Sequence, residues 1–186
     1  MDKKEILRYM RTSSDTTDEA VLRLTDEAIA AIETEVHPKT LYRIYDCTVS
    51  SDALTIENTE FKSLRLAQNL KGCTRVAVIA ATLGTECDRL IKTALATDTA
   101  KAIALQAAAA AKIEEVCDGV EQAIKEQYNV SLRQRYSPGY FDLDITEQKK
   151  FFSLLEITKR IGLTLTDTCE MTPTKSVTAF IGIDDE

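Results

Sequence analysis

The stretch Arg75-Val76-Ala77-Val78-Ile79-Ala80-Ala81 constrains the fold most. It is apolar on both alternating faces, so as a strand it must be covered on both sides. A chain of 186 residues is long enough to supply that cover within one domain. The strand leads through Thr82-Leu83-Gly84-Thr85 into a helix at about 85–96. A strand–Gly–helix junction can bind anions on its backbone amides. With one Gly and no G-K-[ST], tight packing accounts for the Gly better.

The second constraint is a long helix at about 99–128, capped by Asp98 and carrying the unbroken run Ala107 to Ala111. Such small side chains let another element approach closely. At 100° per residue, Ile103, Ala107, Ala110, Ile113, Cys117, Val120 and Ile124 share one arc. Glu114 falls inside that arc, while Glu115 points toward solvent. A carboxylate on an apolar face needs a partner. Either a structural Arg or Lys or a ligand would serve, and periodicity does not choose between them.

The remaining elements fall around these two. Helices are expected at 3–11, with Ile6, Leu7 and Met10 on one side, and from Asp18-Glu19 to about Glu35, ended by His37-Pro38. Leu41 to Val49 and Leu54 to Ile56 read as strands joined by a turn at Ser50-Ser51-Asp52. A helix at 60–70 would turn Phe61, Leu64, Leu66 and Ala67 inward. Val130 to Arg135 alternates as a strand. Thr146 and Gln148 would cap a helix to about 159 with Phe151, Phe152, Leu154 and Leu155 inward, and Gly162 would end it. Leu163 to Thr166 is strand-like, Thr168 to Lys175 a polar connection, Val177 to Ile183 a last strand and Asp184 to Glu186 a solvated tail. Without strict βαβ alternation, this order indicates α+β with a mostly antiparallel sheet. We expect a single domain over 1–186, with N-terminal helices at about 1–36 and a core at about 40–183.

Charge and cysteine usage exclude several classes. Lys and Arg total 23 against 30 Asp and Glu, a net charge of −7, which argues against a nucleic-acid partner. No apolar run approaches the roughly 20 residues of a membrane helix. Met1 to Glu5 has no apolar segment behind it, so a cytoplasmic location is expected. The five Cys (47, 73, 87, 117 and 169) show no C-x-x-C spacing and read as reduced thiols. The single His, His37, leaves no material for a His-centred triad or metal site. No Cys has an obvious activating neighbour, which weighs against thiol catalysis.

The densest chemistry lies in Arg135-Tyr136-Ser137-Pro138-Gly139-Tyr140. Arg135 offers a planar fork suited to a carboxylate or phosphate. Pro138-Gly139 fits the central positions of a type II turn, which would bring Arg135 and Tyr140 to one small volume. A cationic fork beside an aromatic face could hold a small zwitterion. An ordinary turn with a surface Arg is the plainer alternative.

This hexapeptide resembles the R-x-x-x-G-Y motif of the activation domain of cobalamin-dependent methionine synthase. Gly162-Leu163-Thr164-Leu165-Thr166, Met171-Thr172-Pro173 and Ser176-Val177 resemble that domain's closing segment in order and spacing. Ala80 to Thr85 and the Ala-rich helix ending in Ile113-Glu114-Glu115 resemble stand-alone members of the family. The resemblance implies a twisted antiparallel sheet flanked by helices, and S-adenosylmethionine held by Arg135, Tyr136, Ser137, Pro138, Gly139 and Tyr140. It implies that Arg135 engages the methionyl carboxylate or its polar neighbours. Glu114 would be the acidic contact from the long helix, and Tyr140 would line the reacting end near the methyl group or the corrin. The implied role is reductive remethylation of cobalamin carried by a partner, a corrinoid-binding methionine synthase lacking its own activation domain, with a flavodoxin-like or other reductant. Sulfonium methyl transfer needs alignment rather than a general base, which agrees with the missing His constellation. The sequence departs from the long form at Phe141-Asp142-Leu143-Asp144, on the adenine side of the implied pocket. An alternative is a non-catalytic docking module for a corrinoid methyltransferase that has lost the cofactor.

Overall fold

The structure, a computed structural model, describes residues 1–184. Its helices are α1 (Lys3–Tyr9), α2 (Glu19–Glu35), α3 (Leu64–Asn69), α4 (Thr85–Thr97), α5 (Thr99–Tyr128), α6 (Gln148–Leu155) and α7 (Ile157–Ile161). Its strands are β1 (Lys39–Val49), β2 (Ala53–Ile56), β3 (Thr59–Lys62), β4 (Arg75–Thr82), β5 (Ser131–Leu132), β6 (Thr164–Leu165), β7 (Met171–Thr172) and β8 (Ser176–Asp184). Six strands form one sheet in the order β3-β2-β1-β4-β8-β5, every pair antiparallel. β6 and β7 form a separate small ribbon. This is the expected α+β architecture.

β4 is the central strand that its apolarity demands. It pairs with β1 on one side and β8 on the other, and residues 76–82 are buried. Ala77, Ile79 and Ala81 join a core with α1, α2, α4 and α5, while Val76, Val78 and Ala80 join a second core on the opposite face. The Ala run of α5 packs in the first core, where small residues on sheet and helix permit a close approach. In the second core Phe61, Phe151 and Phe180 form a fully buried cluster, with ring centroids 4.3–5.7 Å apart. Asp98 caps α5 as expected, its side chain accepting from the Lys101 N–H.

Several expectations are corrected. The helix expected at 60–70 is strand β3 followed by α3, because Phe61 fills the core from a strand. Leu64 is exposed rather than inward. Ile103 is also exposed, since α5 buries Ala102, Ala104 and Leu105 instead. The helix expected to 159 starts in a 3₁₀ turn (Ile145–Glu147) capped by Asp144 and breaks at Glu156, whose φ is +51°. The connection from 168 to 175 contains β7. Asp184 ends β8 and accepts from Arg133 Nε and Nη2 at 2.8–3.1 Å, while the rest of the expected solvated tail, 185–186, lies outside the described residues.

The strand expected at 130–135 is reduced to β5 by a one-residue bulge. Leu132 pairs with Ile183 and the Arg133 N–H bonds Gly182 O, but the next bridge joins Tyr136 to Phe180. Gln134 and Arg135 thus stand opposite Ile181 alone. An extra residue in one strand re-aims the side chains that follow it. Arg133 turns to the α3 side, Arg135 to α5, and Tyr136 into the second core. Strict alternation would have put both arginines on one face.

Candidate functional site

Beyond the bulge, the chain leaves the β8 edge and opens a cleft of about 1050 Å³ between α5 and α3. Arg135, Tyr136, Ser137, Pro138 and Tyr140 line it, and so does Glu114. Gly139 shapes the turn behind them. Its φ is +88°, and the Tyr140 N–H bonds Ser137 O at 3.3 Å, so the turn is type II as expected. A Cβ at Gly139 would sit 3.0 Å from Ile145 Cδ1. Gly therefore serves both the left-handed conformation and the close approach.

Arg135 is held by three carboxylates of α5. Its Nη1 donates to Asp118 Oδ1 and Glu121 Oε1, and its Nη2 to Glu114 Oε2, each at 2.8 Å. Residues 114, 118 and 121 recur at helical spacing and present one face. Arg135 and Glu121 have side chains only 20% and 19% exposed, whereas Asp118 is 70% exposed. Three carboxylates against one guanidinium leave two negative charges among these four side chains. Burial opposes the charge of Arg135, but the bond to Asp118 and the charges of Glu121 and Glu114 outweigh it and raise its pKa. The site is therefore built to favour added positive charge. Glu114, which periodicity left between a structural partner and a ligand, pairs with Arg135 while lining the cleft.

The opposite wall is α3. Its inner face sends Leu66 and Ala67 into the core, as does Leu70 just after it, leaving Arg65, Gln68 and Asn69 on the cleft. Asp142 ties this wall to the Arg135–Tyr140 segment. Its carboxylate accepts from Ser63 Oγ at 2.6 Å, from the Leu64 N–H at 2.7 Å and from the Arg65 N–H at 3.3 Å. The Tyr136 hydroxyl lies 3.4 Å from the same group. The Ser63 hydrogen bond chiefly holds the Asp142 carboxyl below its usual range, and the two backbone donors add to it against desolvation. Between these anchors Tyr140 and Phe141 stand 64% and 83% exposed at the cleft mouth. Gln148 and Thr178 also line the cleft, joined by a buried 2.7 Å hydrogen bond.

Three acids that matter to this geometry are missed by the sequence reading. Asp118 and Glu121 were recoverable, since they extend Glu114 at i+4 and i+7. Asp142 carried no signal, because its partners lie 77–79 residues earlier in the chain. Burial works against thiolate formation at three of the five thiols. Burial pushes Cys47 and Cys87 up to about 11 and Cys117 up to about 12. Among the described residues no group of His, Cys, Asp and Glu is arranged to hold a metal, and no helix is long and apolar enough to cross a membrane.

Comparison with known proteins bears on this arrangement. No curated protein matches the chain significantly. Among solved structures, the MetH reactivation domain bound to AdoHcy superposes with a TM-score of 0.71 at 18% identity. The match covers 97% of this chain and 70% of that one, and it establishes the shared fold. Residues 68–186 match the family described as vitamin B12 dependent methionine synthase, activation domain. That span includes β4, the whole acidic face of α5, the bulge, the type II turn and β8. The chain belongs to the family of vitamin B12 dependent methionine synthase activation domains.

Proposed function

We propose that the cleft binds S-adenosylmethionine and presents its methyl group to a corrinoid carried by a partner methionine synthase lacking its own activation domain. The observation that carries this reading is the joint lining of one cleft by Glu114, Arg135 and Tyr140, with excess negative charge around the guanidinium. The donor set fits the ligand. S-adenosylmethionine combines a sulfonium, an ammonium and a carboxylate, so it brings net positive charge to a site that favours it. Family membership, and a shared fold with a reactivation domain bound to AdoHcy, support the same ligand class.

The ligand supplies an already activated methyl group. Binding and orientation fall to the residues of this chain. The acids of α5 accept hydrogen bonds from the ammonium and offset the sulfonium charge. Arg135 meets the carboxylate with whichever nitrogen the acids release. Tyr136, Ser137, Pro138 and Gly139 fix the backbone around the ligand. Tyr140, exposed at the mouth, stands where the partner must approach. Proximity and orientation are the contribution required of such a site, with no general base. Electrons come from a separate reductant of flavodoxin-like or other type, and both proteins act in the cytoplasm.

One observation favours the second reading, a docking module that no longer binds the cofactor. Both terminal nitrogens of Arg135 are already engaged by acids of the same chain. Calorimetry with S-adenosylmethionine separates the two. Wild type is expected to bind, and Arg135→Ala to bind at least tenfold more weakly. Absence of binding by wild type, with and without a corrinoid partner, together with partner capture indifferent to the ligand, would establish the docking module instead.

A further inference from the structure

The grip of three acids on Arg135 limits how anything else can reach it. Nη1 donates to Asp118 and to Glu121, each at 2.8 Å, so both of its hydrogens are spent. Nη2 donates to Glu114 alone among the described residues and keeps a second hydrogen. A guanidinium holds a carboxylate most firmly through two parallel N–H bonds. A ligand carboxylate that takes the end of this fork, through Nη1 and Nη2 together, therefore has to displace an acid from Nη1.

The two acids on Nη1 are not equivalent. The Glu121 side chain is only 19% exposed, so parting it from the guanidinium would strand its charge in a poorly hydrated place. Asp118 is 70% exposed and already largely in water, so losing its partner costs little. Its carboxylate makes no other hydrogen bond among the described residues. Asp118 and Glu121 also repel each other across the nitrogen they share, and the departure of one relieves the other. Glu114 need not move at all, since Nη2 has a hydrogen to spare.

We propose that Asp118 is a latch on Arg135. It occupies Nη1 until a ligand carboxylate arrives and then swings into solvent, while Glu114 and Glu121 keep the guanidinium in place. This rests on the S-adenosylmethionine reading and answers the objection that Arg135 is already engaged, because one of its three partners is placed to leave. The latch acts opposite in sign to simple attraction. Asp118 draws any cation toward the cleft, so attraction alone makes its removal weaken binding. A latch makes its removal strengthen binding, and only for a ligand that carries the carboxylate.

The test measures S-adenosylmethionine and decarboxylated S-adenosylmethionine by calorimetry on wild type and Asp118→Ala. The position is exposed and Ala favours a helix, so the variant is expected to fold as wild type does. Asp118→Ala is expected to bind S-adenosylmethionine about two- to threefold more tightly, the equivalent of one exposed ion pair. It should bind the decarboxylated ligand no more tightly than wild type does. The gain should shrink as ionic strength rises toward roughly 0.5 M, because salt already weakens an exposed pair in wild type. If wild type binds S-adenosylmethionine and Asp118→Ala binds it equally or more weakly, the latch is overturned and the parent reading stands. Equal tightening of both ligands also overturns the latch, since a freed nitrogen would serve only the carboxylate. If neither protein binds S-adenosylmethionine, the parent reading falls and the latch with it.

Discussion

Replacing Arg135 by Ala should destabilise the protein in proportion to the charge it leaves uncompensated. The pair with Glu121 matters most, because both side chains are about four-fifths buried. Removing one partner of a fully buried pair typically costs about 3–5 kcal/mol, and partial water access here lowers that to about 2. Glu114, at 43% exposure, adds roughly 0.5–1 kcal/mol, and the largely exposed Asp118 adds roughly 0–0.5. Mutual repulsion of the three acids is relieved in part as they swing into solvent. The sum is about 2–4 kcal/mol at pH 7, or a fall in Tm of roughly 5–12 °C for a chain of this length. Urea unfolding of wild type, Arg135→Ala, Glu121→Gln and the double variant would measure it, with a coupling of about 1–2 kcal/mol expected between 121 and 135. A loss under about 0.5 kcal/mol at pH 7, or no coupling between 121 and 135, would refute the view that Arg135 organises these acids.

Three further outcomes follow from the same geometry. The lowered pKa of Asp142 means that the folded state holds fewer protons than the unfolded one just below the ordinary aspartate range, so stability falls with pH there. Asp142→Asn should flatten this acid limb below about pH 4 when midpoints are compared by urea titration. Phe180→Ala opens the fully buried aromatic cluster and should reduce stability by about 3–5 kcal/mol without altering cysteine content. Native protein should resist iodoacetamide at Cys87 and Cys117 at pH 8, because burial keeps both thiols protonated, and unfolding should expose both to rapid alkylation. Mass spectrometry of the labelled peptides decides this.

The sequence was readable wherever one period governed a long segment. The two-sided apolarity of β4 fixed its central place, and the spacing along α5 put Glu114 inside the apolar arc. It was unreadable where a short segment carried two meanings. Thr59 to Lys62 is too brief for period 2 to be told from period 3.6, so β3 was taken into a helix. The bulge at Gln134-Arg135 left no trace, because extra residues in a strand change register without changing composition. The type II turn was legible from Pro138-Gly139, since each residue there has its own backbone reason. Asp142 was not, because capping across 77–79 residues is a property of the assembled layers.

The position of β8 has a consequence for synthesis on the ribosome. It is the last strand of the sheet to be made, yet it lies between β4 and β5 and carries the bridge that seats Tyr136. Until residues 176–184 emerge, β4 exposes an open apolar edge, and the segment from Arg133 to Tyr136 has nothing to register against. Nascent chains halted before Ser176 should therefore be sticky and ligand-blind, and competence should arrive in a single late step rather than accumulate helix by helix.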